Sequence, residues 1–465
     1  MAIEIAARDF ARKLTMTRLR NQTGPPSRHL SEQIQSIDPL AEGNKGYALI
    51  KALYPICRSI TGNGVRQSLR LLQDTVPLVL HEVPSGTEVF DWTVPKEWNI
   101  RDAYIKNEVG ERVIDFQRSN LHVLNYSIPV RRKMALTELR SHLFTSPETP
   151  DWIPYRTSYY REAWGFCMTQ RQLERMQEGE YEVCIDSTLE PGHLSYGEYR
   201  IQGATDDEVL ISCHSCHPSL CNDNLSGMVM AARLARLLEA VSLRHSYRFL
   251  WAPGTIGSIT WLALNEPVLS RIKHGVVLSC VGDPGQFHYK RSRQGNAEVD
   301  HAVEHVLRHS GHDFKMLEFT PYGYDERQYC SPGINLPVGS FMRTPNGCYA
   351  QYHTSADDLT FVTPSALGES LLLLLRIIQV LEENGCYMNL NPKCEPQLGR
   401  RGLYRQMGGV THAAAREMAM LWILNLSDGE HDLLDIAFRS GIPFDQISQA
   451  AYLLREAGLL GPRLE

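Results

Sequence analysis

Residues 211–227, "ISCHSCHPSLCNDNLSG", bring together the side chains with the most chemical potential in the chain. They include two histidines, three cysteines and one aspartate. Imidazole and carboxylate groups are ligands of Zn²⁺ and similar divalent ions. A structural site built from cysteines is less favoured, because no second CxxC pair follows the first. The stretch therefore makes His214 and Asp223 candidate metal ligands, with a purely structural role for the histidine as the alternative.

His217 allows three interpretations. His214 directly follows the apolar run "EVLIS", which places it at the end of a buried strand. Residues three apart in an extended chain point to opposite faces, so His217 shares an ion with His214 only if "SCHPS" turns sharply. Pro218 favours such a turn. His217 is thus a second ligand, a group that supports a ligand, or a substrate contact.

A second polar stretch, "CYAQYHTSADDLTFVTP", precedes the long apolar helix that the sequence predicts near its C-terminal third. Thr354, Ser355 and the aspartates Asp357 and Asp358 are residue types that cap helix amides. His353 is not needed for capping, so this histidine is a candidate ligand in the same metal site as His214 and Asp223.

The elements around these stretches predict the fold. From Glu208 onward, short apolar strands alternate with helical patterns, which predicts an α/β domain with a largely parallel sheet covered on both faces. Residues 46–80 show helical spacing and are expected to pack on the same sheet. The α/β domain then comprises 46–80 and 204–390, interrupted by a β-rich insertion at 81–203.

The two ends of the chain have sequence patterns that differ from that of the α/β domain. Residues 1–45 are predicted to be an N-terminal arm or linker. Residues 400–465 carry three short helical patterns in an order typical of a winged-helix domain.

The overall composition is that of an ordinary soluble globular protein, with 465 residues, 43% hydrophobic residues and a net charge of −6. This charge gives no general attraction to nucleic acid or to anionic membranes. The 11 cysteines are scattered, and no signal peptide is apparent, so we expect a cytoplasmic protein without a disulfide framework.

The motifs resemble those of a bacterial aminopeptidase-like family with a zinc aminopeptidase core, an inserted β domain and a C-terminal winged-helix domain. The segments that carry this resemblance are "CRSITGNGVRQSL", "DWTVPKEWNIRDAYI", "HLSYGE", "SCHSCHPSLCNDNLSG", "TIGSI", "YKRSRQGNAEVD", "DERQYCSPGINLP" and "YHTSADD". The resemblance implies that His214 is the first metal-binding histidine, Asp223 the carboxylate that can bridge two metals, and His353 the final histidine. It implies one or two Zn²⁺ ions.

The chain departs from the implied pattern at three places. Cys216 stands where many aminopeptidases have aspartate. Gly254, in "WAPGTIGS", stands where similar proteins carry glutamate, a candidate base or ligand. The third ligand carboxylate has no clear match, since the chain offers Ser279 or Cys280, with Asp283 further along.

Asp325 and Glu326 are the carboxylates that could replace the missing glutamate, and they are the predicted catalytic residues. An ion pair with Arg327 on the surface is the alternative role for them. The predicted substrate contacts are basic or aromatic residues in neighbouring loops: Arg291, Arg293, Arg327 and Tyr352.

Two functions follow from these residues. The first is metal-dependent hydrolysis of an amide or peptide bond in a small molecule or short peptide, through a water activated by zinc. The second is a catalytically impaired protein of the same fold that binds a metal or a small molecule. For both functions we expect no nucleic-acid partner and no membrane. The sequence leaves open whether the chain forms a homo-oligomer.

The C-terminal module is the one segment that suggests DNA binding, and its charge argues against it. Residues 408–465 hold eight aspartates and glutamates against four arginines and no lysine. Because DNA binding requires cations that neutralise phosphates, we predict no duplex binding at physiological salt. A gel-shift titration checks this, and a salt-dependent complex of submicromolar affinity would contradict it.

Overall fold

The computed structural model describes residues 26–403 and 410–462. Within these residues the chain forms strands that we number in chain order: β1 Val79–Pro84, β2 Glu88–Val89, β3 Trp92–Thr93, β4 Glu97–Lys106, β5 Arg112–Asp115, β6 Val130–Ala135, β7 Leu143–Phe144, β8 Phe166–Cys167, β9 Glu180–Glu190, β10 His193–Ile201, β11 Glu208–His214, β12 Ser246–Ala252, β13 Ile272–Leu278, β14 Phe287–Lys290, β15 Phe314–Leu317, β16 Val338–Met342, β17 Cys386–Asn389, β18 Asp428–Asp432 and β19 Leu460–Pro462.

The α-helices of the same residues are numbered in the same way: α1 Pro26–Ser36, α2 Pro39–Leu53, α3 Asn63–Gln73, α4 Leu136–Leu139, α5 Gln170–Arg175, α6 Gly227–Leu238, α7 Ile256–Leu264, α8 Glu298–Arg308, α9 Glu326–Tyr329, α10 Pro364–Glu383, α11 Val410–Leu426, α12 Leu433–Ser440 and α13 Phe444–Glu456.

An eight-stranded mixed sheet forms the centre of the molecule, in the order β1-β10-β12-β11-β13-β16-β14-β15. The four middle strands, from β12 to β16 in this order, run parallel to one another. Every residue of β11 is buried, because helices cover both faces of the sheet at this position. The predicted α/β class is confirmed, with antiparallel strands added at the edges.

Helix α10 is the apolar run that the sequence places in the core. Among the described residues, α10 is the one helix long and apolar enough to cross a membrane. However, 72% of its most apolar stretch is buried inside the protein. It packs closely against α2, where a β-carbon on Gly368 would lie 2.0 Å from the carbonyl oxygen of Pro39. The burial explains the apolar composition without a membrane.

The domain boundaries differ from the predicted ones. Strands β1 and β10 pair with each other inside the central sheet, so residues 81–84 and 193–201 do not belong to the insertion. The insertion itself contains a four-stranded antiparallel sheet in the order β5-β4-β9-β6. Residues 26–45 of the predicted arm are largely helical, in α1 and the start of α2, and residues 1–25 lie outside the described part of the chain.

The C-terminal domain begins earlier than predicted. Strand β17 pairs with β18 and β19, so residues 386–389, which we assigned to the α/β domain, join the C-terminal sheet. Helices α11, α12 and α13 complete this domain, with α12 and α13 in contact.

The contact between α2 and α10 generates a prediction on stability. Replacing Gly368 with Ala should lower the free energy of unfolding by about 1–3 kcal/mol, because the new methyl group would collide with backbone that cannot move freely. Gly333→Ala is the control, since its β-carbon would meet no atom within 4 Å. Urea unfolding measures both, and equal stabilities of the two variants would contradict the close packing.

Candidate metal centre

The carboxylate of Asp223 is the point on which the candidate site converges. Its Oδ1 lies 2.8 Å from Nε2 of His214, and its Oδ2 lies 3.0 Å from Nε2 of His353. Nε2 of His217 is 3.7 Å from the same Oδ2. The three histidines predicted as metal ligands therefore surround the carboxylate of the fourth predicted ligand, although 130 residues separate Asp223 from His353.

Each of these side chains is positioned by a different element. His214 is the last residue of β11, and Asp223 lies in the tight segment Cys221–Ser226 that leads into α6. The His353 loop brings the third group from the far end of the domain. The carboxyl edge of the parallel strands thus collects ligands from distant parts of the sequence.

Asp357 holds the Asp223 loop in place. Its Oδ1 and Oδ2 accept hydrogen bonds from the backbone amides of Asn222 (2.6 Å) and Asp223 (2.9 Å). Burial raises the pKa of Asp357 to about 8, against the effect of these amides. The capping role considered for Asp357 is wrong, because Thr363 caps helix α10 through the amide of Ala366.

His217 also lies at the centre, just before a turn in the chain. Ser219 adopts a positive φ of 34°, in the left-handed region, which fits the sharp turn that a shared site requires. One ligand atom from each of His214, His217 and Asp223 fits within 4.8 Å of the others. The geometry therefore favours the interpretation of His217 as a second histidine ligand.

Burial and charge suit this cluster for a cation. The side chains of His214 and Asp223 are fully buried. Burial alone would raise the pKa of Asp223, but the rings of His217, His214 and His353 hold it well below its usual range. Burial lowers the pKa of His217 well below its ordinary value, so this ring is neutral near pH 7 and can bind a metal.

Three tyrosine rings enclose the imidazoles. Tyr324 stacks on His214 with ring centroids 3.5 Å apart, and Tyr352, a predicted substrate contact, stacks on His353 at 4.0 Å. Tyr155 meets His353 edge-on at 5.1 Å. Together the rings narrow the access to the imidazoles.

Tyr155 was not identified from the sequence, because it belongs to the insertion. The insertion reaches the centre through a short backbone pairing in which Pro154 lies opposite Thr354, and the Tyr155 amide donates to the carbonyl oxygen of His353 (2.7 Å). The aromatic pair "YY" at 159–160 and the nearby "PY" are the only local signal, and nothing in them indicates a long-range partner.

Gly254 has no room for the glutamate that the resemblance leads one to expect. A β-carbon at this position would lie 2.1 Å from the hydroxyl oxygen of Tyr324 and 2.4 Å from its Cε1. The backbone amide of Gly254 lies 3.3 Å from the Cys216 sulfur, and that sulfur is 3.4 Å from Nδ1 of His217. Tyr324 and Cys216 thus occupy the space beside His214 and His217.

The two predicted catalytic carboxylates differ in their partners. Both oxygens of Glu326 accept from the amide of Tyr324, and Oε1 also pairs with Lys290. Oδ1 of Asp325 accepts from the Thr255 amide (2.7 Å) and the Ser258 hydroxyl (3.0 Å). Its Oδ2 is buried and has no partner in the described part of the chain. Burial raises the pKa of Asp325 to about 6.

The predicted arginine contacts do not join this cluster through any described interaction. Arg291 pairs with Glu304 at 2.6 Å, and Arg293 donates to the side-chain oxygen of Asn335. Arg327 lies in α9, and its Nε is buried without a partner in residues 26–403 and 410–462. Their substrate role stays a prediction.

The residues offered in place of the third carboxylate are also engaged elsewhere. Asp283 accepts from the side chain of Asn222 (2.9 Å) and the hydroxyl of Thr344 (2.6 Å). The Cys280 sulfur contacts the side-chain oxygen of Asn346, to which the Ser279 hydroxyl also donates. Asp283 therefore supports the Asp223 loop through Asn222.

The donor set fits a zinc ion. Neutral imidazole nitrogens and one carboxylate are the ligands that zinc takes in catalytic sites, where three protein ligands leave one position for water. His214, Asp223 and His353 or His217 would hold the ion. The Asn224 amide, 3.2 Å from Nδ1 of His214 and fixed by the Leu278 carbonyl, holds that ring in place.

The fold and the site define an aminopeptidase-like α/β protein with a C-terminal winged-helix domain. A family model described as a domain of unknown function (DUF4910) matches residues 47–384, and one described as a winged helix-turn-helix matches residues 385–462. The chain belongs to the DUF4910 family.

Relatives of known sequence or structure agree with this assignment. A Clostridium acetobutylicum protein, named a putative polysaccharide biosynthesis protein with aminopeptidase-like domain, is 53% identical over 418 residues, 90% of this chain and 96% of that protein. The crystal structure of a putative peptidase from Clostridium acetobutylicum has a TM-score of 0.89 at 50% identity, covering 94% of this chain and 99% of that one. A zinc aminopeptidase from Bacillus subtilis shares the fold, with a TM-score of 0.52 at 14% identity over 72% and 94% of the chains.

The contact between position 254 and Tyr324 leads to a prediction that differs from the expectation that a glutamate at 254 restores a ligand or base. Restoring the glutamate by Gly254→Glu should destabilise the protein and add no zinc, since the new side chain collides with the Tyr324 ring. When Tyr324→Ala is added, the double variant should lose less free energy of unfolding than the two single variants lose in sum. The difference should be about 1–3 kcal/mol.

Chemical unfolding and metal analysis of the four proteins measure this coupling. The control combines Gly254→Glu with Tyr322→Ala, which removes a neighbouring tyrosine that is 79% exposed. Additive effects in the Tyr324 pair would show that the ring does not exclude a side chain at 254.

Proposed function

We propose that the chain is a zinc-dependent hydrolase of an amide bond in a small substrate that contains an amino acid. The observation that carries this proposal is the convergence of three imidazoles on one buried carboxylate at the carboxyl edge of the sheet. The aminopeptidase-like fold supports it, as does the 50% identical structure called a putative peptidase.

A single zinc ion suits the centre better than two. Two ions carry four positive charges, and Asp223 is the one carboxylate in contact with the imidazoles among the described residues. Asp283 and Asp357 are bound to neighbouring loops, and Glu326 pairs with Lys290. A pair of ions held by so little negative charge would repel each other without compensation.

The chemistry divides between the ion and the chain. When bound, zinc polarises a carbonyl group and lowers the pKa of a bound water. Asp325 is our candidate for receiving a proton from the attacking water and passing it to the leaving amine, because its Oδ2 has no partner among the described residues and its pKa is raised to about 6. Asp325 directly follows Tyr324, whose ring stacks on His214.

The substrate that the site admits is small. Tyr155, Tyr324 and Tyr352 pack against the imidazoles, and the insertion is tied to the His353 loop by backbone hydrogen bonds. A folded protein could not present a peptide bond through this enclosure. An aminoacyl group on a metabolite, or a short peptide, fits these limits, and the name of the 53% identical relative directs attention to polysaccharide precursors.

A binding protein without catalysis is the second candidate, and one observation favours it. The Tyr324 ring fills the position from which a glutamate at 254 would act. Stoichiometric zinc without turnover on a broad panel of amides would select this alternative.

The metal centre yields a prediction on stoichiometry. Metal analysis of the purified chain should give one zinc per molecule, and Asp223→Asn should lose most of it, because the exchange removes the one carboxylate that contacts the imidazoles among the described residues. His353→Ala should lower the zinc content sharply as well. His431→Ala, in the C-terminal domain, is the control. Two zinc ions per chain would contradict the charge argument.

The assignment of the base yields a separate prediction. Asp325→Asn should keep the zinc and the two hydrogen bonds to Oδ1, yet lower kcat for aminoacyl-nitroanilides by about 10²–10⁴-fold. Glu326→Gln is the matched control, and it should change stability rather than kcat because Glu326 pairs with Lys290. If Glu326→Gln abolishes turnover and Asp325→Asn does not, the roles are reversed.

A further inference from the structure

The sulfur of Cys216 lies at a junction of three polar groups beside the candidate metal centre. The residue is 2% exposed, and it directly precedes His217 in the chain. Its Sγ is 3.4 Å from Nδ1 of His217, 3.3 Å from the backbone nitrogen of Gly254 and 3.5 Å from the hydroxyl oxygen of Tyr324. The proposed hydrolysis assigns no part to this thiol.

Contacts with the backbone set the position of this sulfur. The Gly254 N–H donates to Sγ, and Gly254 belongs to the turn between β12 and α7. The residue before Cys216 is tied to the same place, because the amide of Ser215 donates to the carbonyl oxygen of Ala252 (3.0 Å). Cys216 is therefore held against the end of β12, and its sulfur is a fixed point from which a neighbouring ring can be oriented.

The ring of His217 depends on this sulfur for its direction. Cys216 is the one hydrogen-bonding partner of its Nδ1 within residues 26–403 and 410–462. Its close aromatic neighbours are the rings of Tyr155, His214 and His353, with centroids 5.1, 4.9 and 5.2 Å away. A half-turn of the His217 ring would keep these aromatic contacts, but it would put a carbon against the sulfur and move Nε2 from its place beside Asp223.

The same distances decide which ring nitrogen of His217 carries the hydrogen. A neutral imidazole has one N–H donor and one acceptor nitrogen. Nε2 lies 3.7 Å from Oδ2 of Asp223, which is beyond hydrogen-bond length. Nδ1 has the Cys216 sulfur, a weak acceptor, at 3.4 Å. The hydrogen therefore belongs on Nδ1, and the thiol hydrogen can point to the hydroxyl oxygen of Tyr324.

We infer that Cys216 is a positioning residue for His217: its sulfur accepts the Nδ1 hydrogen and so leaves the Nε2 lone pair facing Asp223 and the ion. A neutral imidazole that binds a metal needs this arrangement, because one nitrogen must be free while the other carries the hydrogen. The inference deepens the function proposed above and rests on its zinc site. The direction of the ring, however, can be measured in the chain without metal.

Zinc affinity, measured by competition with a fluorescent chelator, is the first test. Cys216→Ala should weaken zinc binding about 10–100-fold, the usual effect of losing a group that orients a metal ligand. Cys216→Ser should restore most of the affinity, because a hydroxyl also accepts from Nδ1. The matched control is Cys213→Ala in β11, whose equally buried sulfur is 3.8 Å from the carbonyl oxygen of Leu250. It should bind zinc as the wild type does, and an equal loss in both alanine variants would overturn the inference.

Heteronuclear NMR of the histidine ring nitrogens in the metal-free chain is the second test. The His217 signals, identified by their loss in His217→Ala, should show the Nδ1–H form in the wild type and in Cys216→Ser. Cys216→Ala should give a mixture of the two neutral forms. An Nε2–H ring in the wild type, or an unchanged ring in Cys216→Ala, would overturn the inference. If the wild type takes up no zinc, the proposed hydrolase fails, and the NMR result alone decides the role of Cys216.

Discussion

The buried carboxylate of Asp223 needs partners that compensate its charge, and the rest of the centre provides them. The side chain of Asp223 is fully buried, and an isolated charge in such a place would be expelled or protonated. Three imidazoles meet it from the end of β11, from the following turn and from a loop more than a hundred residues further on. The carboxylate thus requires these segments to be in place at once, which links folding of the sheet edge to formation of the site.

A second layer of polar contacts fixes the loops that carry these groups. The Asp357 carboxylate accepts hydrogen bonds from the backbone N–H groups of Asn222 and Asp223, and the side-chain amide of Asn222 donates to Asp283. These contacts connect the His353 loop, the Asp223 segment and the loop after β13. Since each partner is itself buried and hydrogen-bonded, loss of one leaves another unsatisfied. The precision of the centre therefore depends on carboxylates that need not contact a metal.

Local sequence pattern predicted the α/β class, and it made His214 and Asp223 candidate ligands, because both predictions depend on short-range features. A buried strand that ends in His214, and an aspartate just before a helix, are visible in a single stretch. The boundaries were less predictable: β1 and β10 alternate like strands of an insertion, and only their pairing with each other inside the central sheet reveals their domain. The contribution of Tyr155 depends on backbone pairing across two hundred residues, which no local pattern encodes.

Position 254 shows why a missing residue cannot be interpreted from its own position alone. In the sequence, Gly254 marks an absent carboxylate, which suggests a vacancy that a glutamate could fill. In the structure, the Tyr324 ring occupies that space and stacks on His214. Its neighbour Asp325 accepts a hydrogen bond from the amide of Thr255, next to Gly254, and its other oxygen has no partner within residues 26–403 and 410–462. The carboxylate near this turn therefore comes from another segment of the chain, and the small residue at 254 is what permits the ring to lie there. Glycine at 254, tyrosine at 324 and aspartate at 325 form one arrangement, and its chemistry depends on the three together.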